Sequence, residues 1–173
     1  MAARVNTRFV LILSFSIVSI VGLVGGLWFL KIRGDATRNI NAGDQLMAQG
    51  DYSRAVQMYG RAVNKEPENL NHLSKIEEAI LHVRPKTQDE VAELYARRVG
   101  VLRHRIRYQT QDADVHLRLL REFHRAARLF NRVDLWQELA NAAEEMWEQV
   151  PARDPKRVYA RLYRGMANSR MIT

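Results

Sequence analysis

The chain has 173 residues, with 27 Lys and Arg against 19 Asp and Glu, a formal net charge of +8, and no cysteine. The missing cysteine excludes disulfide staples, Cys-based zinc sites and thiol nucleophiles. The basic balance points to acidic protein surfaces, anionic headgroups or nucleic acid as contacts.

In chain order, a basic leader at 1–8, with Arg4 and Arg8 and no acid, precedes a 22-residue uncharged run at 9–30. At about 1.5 Å per helical residue the run reaches roughly 33 Å, which predicts a transmembrane helix acting as a signal-anchor. Fifteen of its positions are Leu, Ile, Val or Phe, diluted by three Ser and three Gly. A cleaved secretory signal is the rival reading; the run exceeds a usual apolar core, and cleavage after Gly26 would leave an apolar new terminus. Basic residues on the two sides nearly balance, so orientation leans only slightly toward an extracytoplasmic body. Gly22 and Gly26 have the spacing that lets two membrane helices approach closely. A short linker at 31–35 then leads into a helical body at 36–168 and a tail at 169–173.

Within the body, Gly43, Leu46 and Met47 share one helical face, and Val56, Tyr59 and Val63 share another. Gly50 and Asp51 between them suit the end of one helix and the cap of the next, so two amphipathic helices fold back on each other. Leu73, Ile76 and Ile80 predict a third helix. Thr87 with Glu90 reads as a capping box opening a long helix over 88–108, striped by Val91, Leu94, Tyr95, Val99, Leu102 and Ile106. Ala127 and Phe130 precede a further apolar pattern of Trp136, Leu139, Ala143 and Met146, stopped near Pro151. Asp154 and Pro155 open a last helix over 155–168, whose face of Val158, Leu162 and Met166 has nothing after it to cover it, a sign of a second subunit or of further repeats.

Residues 39–67 resemble the tetratricopeptide repeat: Gly43, Ala55, Tyr59, Ala62 and Pro67 stand at the family's spacing, with Gly50 at the turn and Tyr52 as a second aromatic. The sequence departs from that pattern at Asn39 and Ala42, where the family prefers Trp and Leu. The resemblance implies an all-α solenoid of helical hairpins, stabilised by stacking roughly three units. It also implies a groove lined by the first helix of each pair, with Asn41, Gln45 and Gln49 facing a protein or peptide ligand.

Charge falls in bands: 84–132 holds twelve bases and six acids, 134–154 one base and six acids, and 156–173 five bases and no acid. Arg118, Arg121, Arg125, Arg128 and Arg132 recur every three or four residues and so form one basic stripe. Its readings are an internal partner for the acidic helix after Asp134, a docking face for acidic protein or lipid, or a nucleic-acid contact. The last is disfavoured because no aromatic suited to stacking bases accompanies the stripe.

The five histidines, at 72, 82, 104, 116 and 124, show no i, i+4 pair, so metal binding is not expected. The adjacent carboxylates Glu77-Glu78 and Glu144-Glu145 point about 100° apart on a helix and read as solvated surface. No phosphate-cradling or nucleophile-elbow motif occurs. The reading is a membrane-anchored, non-catalytic scaffold without cofactor, binding protein or peptide, with homo-oligomerisation open. The alternative is a tethering or regulatory segment of an enzyme, fused beyond Thr173 or encoded separately.

Overall fold

The computed structural model describes the backbone of residues 7–172, and their side chains except at 7–14, 24 and 28–35. Helices follow one another: α1 Thr7–Ala48, α2 Tyr52–Lys65, α3 Leu70–His82, α4 Gln88–Tyr108, α5 Ala113–Phe130, α6 Val133–Gln149, and a 3-10 turn Pro155–Arg157 running into α7 Val158–Met171. Each helix packs on its sequence neighbour, giving a stack of antiparallel pairs. The long fourth helix occupies the predicted range, whereas α7 continues three residues beyond position 168 and α1 runs unbroken through the expected linker at 31–35.

Local chemistry sets the boundaries. Gly50 takes φ +76°, a conformation that costs glycine little, and its N–H and that of Asp51 close the end of α1 on the carbonyls of Met47 and Leu46. Asp51 then caps α2 by accepting from the Arg54 N–H. Thr87 accepts from the Glu90 N–H at 3.2 Å, and the Glu90 carboxylate reaches back to the Lys86 N–H at 2.6 Å. That is a capping box displaced by one residue. Asp112 caps α5 through two N–H groups, and Asn131 ends it in the left-handed region at φ 49°.

The core divides into two clusters that meet on α4. The forward cluster gathers Ala55, Val56, Tyr59, Leu73, Ile76 and Ile80, and takes Leu94 from α4. The rear cluster, built on Leu119, Leu120, Phe123, Leu139 and Met146, takes Leu102 and Ile106. Tyr95 and Val99 also pack against the rear cluster and Val101 against the forward one, so α4 serves the two clusters from two faces.

The membrane expectation requires correction. Among the described residues no helix is long and apolar enough to cross a membrane. Of the expected span 9–30, the side chains of 9–14, 24 and 28–30 lie outside the described residues, as does the backbone of leader residues 1–6. Within 15–27, Ser16, Ser19, Gly22, Gly25 and Gly26 dilute the apolar side chains. This stretch is the leading part of a 42-residue helix that continues into the bundle, not a separate element. A transmembrane helix, a signal-anchor and a single-pass membrane location are therefore not supported. Gly22 and Gly26 have no atom of another residue within 4 Å of where a Cβ would stand.

Candidate functional site

The repeat-like residues of the first pair are joined by close approach. A Cβ on Gly43 would lie 2.4 Å from Cε1 of Tyr59, so the ring of α2 occupies the space that glycine leaves on α1. Ala55 and Ala62 are fully buried, and Tyr52 stacks on His82 at 4.9 Å. Pro67 lies just beyond α2, and its carbonyl meets His104 Nε2 of α4 at 2.9 Å. The Tyr59 hydroxyl donates to Asp44 at 2.6 Å, and Lys75 donates to the same oxygen at 2.5 Å. Burial pushes the Tyr59 hydroxyl pKa upward, and its bond to the Asp44 carboxylate adds to the rise. Asn41 and Gln45 of α1 and Gln49 in the turn after it are exposed.

The ion pairs between helices are not those that the charge bands suggest. Asp44 on α1 pairs with Lys75 on α3, Glu77 on α3 with Arg118 on α5, and Asp114 on α5 with Lys156 beside α7. On the other side, Arg103 of α4 pairs with Glu138 of α6. These pairs join helices two apart in sequence, while Glu77 with Arg105, Arg98 with Glu122 and Glu144 with Arg164 join sequence neighbours. The acidic helix α6 is thus served by α4 and, through Glu144 and Arg164, by α7. It does not neutralise the stripe on α5, with one exception: Arg132 holds Asp134 through both oxygens at the start of α6.

This sorting changes the five-arginine stripe. Arg118 is committed to Glu77, and Arg132 to Asp134. Arg125 reaches Glu122 only at 4.0 Å, and Glu122 also faces Arg98 of α4 at 3.7 Å. Among the described residues no ion pair involves Arg121 or Arg128. Three exposed guanidinium groups, at Arg121, Arg125 and Arg128, consequently remain available on one side of α5.

Beside them runs a cleft of about 200 Å³ between α3, α4 and α5. Its apolar wall includes buried Ile80 and Leu102 and the exposed Leu81, and Arg98, Arg118, Arg121 and Arg125 rim it. Arg121 and Arg125 also border a shallow hollow with Arg128, His124 and Leu129. His124 is half-buried between the rings of Trp136 and Tyr163. Burial lowers its pKa, and Arg128 lowers it further, so it adds no positive charge to this face near neutrality.

Three residues missed as partners by sequence reasoning matter here. Glu77 does not behave as solvated surface: its side chain is 15% exposed and pairs with Arg105 at 3.2 Å and Arg118 at 2.6 Å. Partners 28 and 41 positions away leave no local signal. Glu144, read the same way, pairs with Arg164. His116 is buried and its Nε2 meets the Thr110 carbonyl at 2.8 Å, which fixes the turn before α5. Among the described residues no group of three His, Asp or Glu side chains is arranged to hold a metal ion.

No protein-family model matches this sequence, and no curated protein does.

Proposed function

We propose that this chain is a non-catalytic docking scaffold, a stack of helical hairpins of the tetratricopeptide type that binds a protein or peptide segment on the face formed by α1, α3 and α5. The observation that carries this reading is the unspent polarity of that face. Among the described residues Arg121 and Arg128 make no ion pair and Arg125 reaches Glu122 only at 4.0 Å, while Lys75 and Arg118 on the same face are held by Asp44 and Glu77. Exposed amides at Asn41, Gln45 and Gln49 continue the polar surface on α1 and the turn after it. Side chains of this kind give directional contacts to an extended segment without the activated groups that catalysis requires.

The test is affinity capture with the full chain beside two variants. One carries Asn41→Ala, Gln45→Ala and Gln49→Ala; the other carries Arg121→Glu, Arg125→Glu and Arg128→Glu. A specific partner lost from either variant supports the scaffold. Identical capture by all three chains contradicts it.

A second reading, a tethering or regulatory segment stacked against an enzyme or another subunit, rests on α7. Val158, Leu162 and Met166 recur every four residues along its outer face and are 60%, 50% and 39% exposed. Arg157 and Arg161 both lie over the Trp147 ring at 4.0 Å, so the helix is clamped to α6 while this apolar face stays open. Catalytic activity in a co-purified subunit, lost with Leu162→Asp, favours this reading over the first.

A further inference from the structure

We infer that the cleft between α3, α4 and α5 receives an acidic peptide segment bearing one aliphatic side chain among its carboxylates, an assignment that rests on the docking reading and specifies its ligand. The charge argument begins with the rim. Four arginines and two glutamates line the cleft. Arg118 is held by Glu77, and Arg98 and Arg125 share Glu122 at 3.7 and 4.0 Å, so the rim carries two positive charges in excess, with Arg121 in no ion pair among the described residues. Arg128 stands one turn beyond Arg125 on the same side of α5 and extends the positive surface past the cleft. Guanidinium forks match carboxylates in geometry, and a segment carrying several acids can engage these groups in succession.

Carboxylates alone would leave the cleft's other half unused. Leu81 is 72% exposed at its edge, above the buried Ile80 and Leu102, and Leu129 is 63% exposed beside Arg125 and Arg128. Large aliphatic groups placed between cations favour a partner whose own apolar side chain covers them while its acids reach outward. About 200 Å³ suits one aliphatic side chain, not a folded domain. Nucleic acid offers the negative charge but no aliphatic anchor, and no exposed aromatic ring stands among these arginines to stack a base.

The test uses the full chain and three fluorescein-labelled probes: the peptide Glu-Glu-Glu-Leu-Glu-Glu-Glu, its counterpart with Ser for Leu, and an oligodeoxythymidylate of equal charge. Anisotropy titrations at low salt should show the leucine peptide binding about tenfold more tightly than the serine peptide. Arg121→Glu combined with Arg125→Glu should weaken the leucine peptide by at least about tenfold, and Leu81→Asp should remove its advantage over the serine peptide. All three substituted positions are exposed, and unchanged far-ultraviolet circular dichroism confirms the fold of each variant. Equal binding of the two peptides overturns the aliphatic anchor. Equal or tighter binding of the oligonucleotide replaces the ligand class with nucleic acid. No binding of the leucine peptide overturns the inference while leaving the scaffold standing, provided that capture by the full chain still depends on Asn41, Gln45 and Gln49.

Discussion

The forward and rear halves of this molecule both set large apolar side chains among small ones, and they differ in where the tightest contact falls. In front, α1 and α2 close up because side chains are missing or small: Gly43 yields its space to Tyr59, and Ala55 and Ala62 are fully enclosed. In the rear, large side chains interlock, with Leu119, Leu120, Phe123, Leu139 and Met146 all buried to within 2%. The contrast teaches where each half is fragile. Gly43 marks where the front is intolerant of added volume, and Leu120 where the rear is intolerant of lost volume.

The strongest break of that symmetry is Leu120→Ala. Leu120 is fully buried, and its truncation should cost about 3 kcal/mol in a denaturant titration. Hydrogen exchange should locate the loss in α5, α6 and α7, with the amides of α2 retaining their protection. Uniform loss across both halves would show that the shared α4 couples the clusters into one cooperative unit.

Gly43→Ala should give the reverse pattern at about 2 kcal/mol, since the new methyl meets the Tyr59 ring and forces it away from Asp44. Protection should fall in α2 and α3 and persist in α6. A neutral outcome would show that the ring can shift freely and that the close approach is incidental.

A smaller effect sharpens the comparison through pH. At Asp44, partial burial raises the carboxyl pKa, but the bonds from Lys75 and Tyr59, with the Lys75 charge, outweigh it and hold the value below the ordinary 3.8. A pKa depressed by folding contributes stability above the ordinary value, and that contribution is lost as pH falls through and below 3.8. Asp44→Asn should therefore cost about 1 kcal/mol at neutral pH and nothing in strong acid, read as the melting temperature against pH. In the rear half, burial pushes the Tyr95 hydroxyl up to about 12, with Glu138 adding to the rise. Its contribution is complete below the ordinary value of 10 and is lost as pH rises from 10 to 12. The acid limb of the stability curve should thus respond to Asp44 and the alkaline limb to Tyr95→Phe. The least consequence is expected from Glu138→Gln, because its pair with Arg103 is about half exposed on both sides; about 0.3 kcal/mol or less should be lost.

Much of this architecture was legible in the sequence because helix ends and faces are written locally. Gly50, Asp51, Thr87 and Asp154 act on N–H and carbonyl groups a few residues away, so a linear reading finds them. The stripe from Val91 to Ile106 likewise marked α4 over its full length, although it gave no sign that one face serves one cluster and the neighbouring face the other. Charge was legible only in sum. Bands suggested that α5 and α6, adjacent in sequence, neutralise each other, yet α6 pairs with α4 and α7, and Glu77 finds partners on α4 and α5 that no periodicity links to it. The apolar run at 9–30 misled for a related reason: a window of composition cannot tell a span from the leading part of a long helix.

Arginine-selective labelling with phenylglyoxal, read by mass spectrometry on the full chain before and after a captured partner binds, tests the docking claim most directly. Free chain should react readily at Arg121, Arg125 and Arg128 and slowly at Arg98 and Arg105, whose side chains are only 21% and 18% exposed. Binding should suppress reaction at the first three alone. Unchanged reactivity at Arg121, Arg125 and Arg128 in the presence of a bound partner would contradict the account.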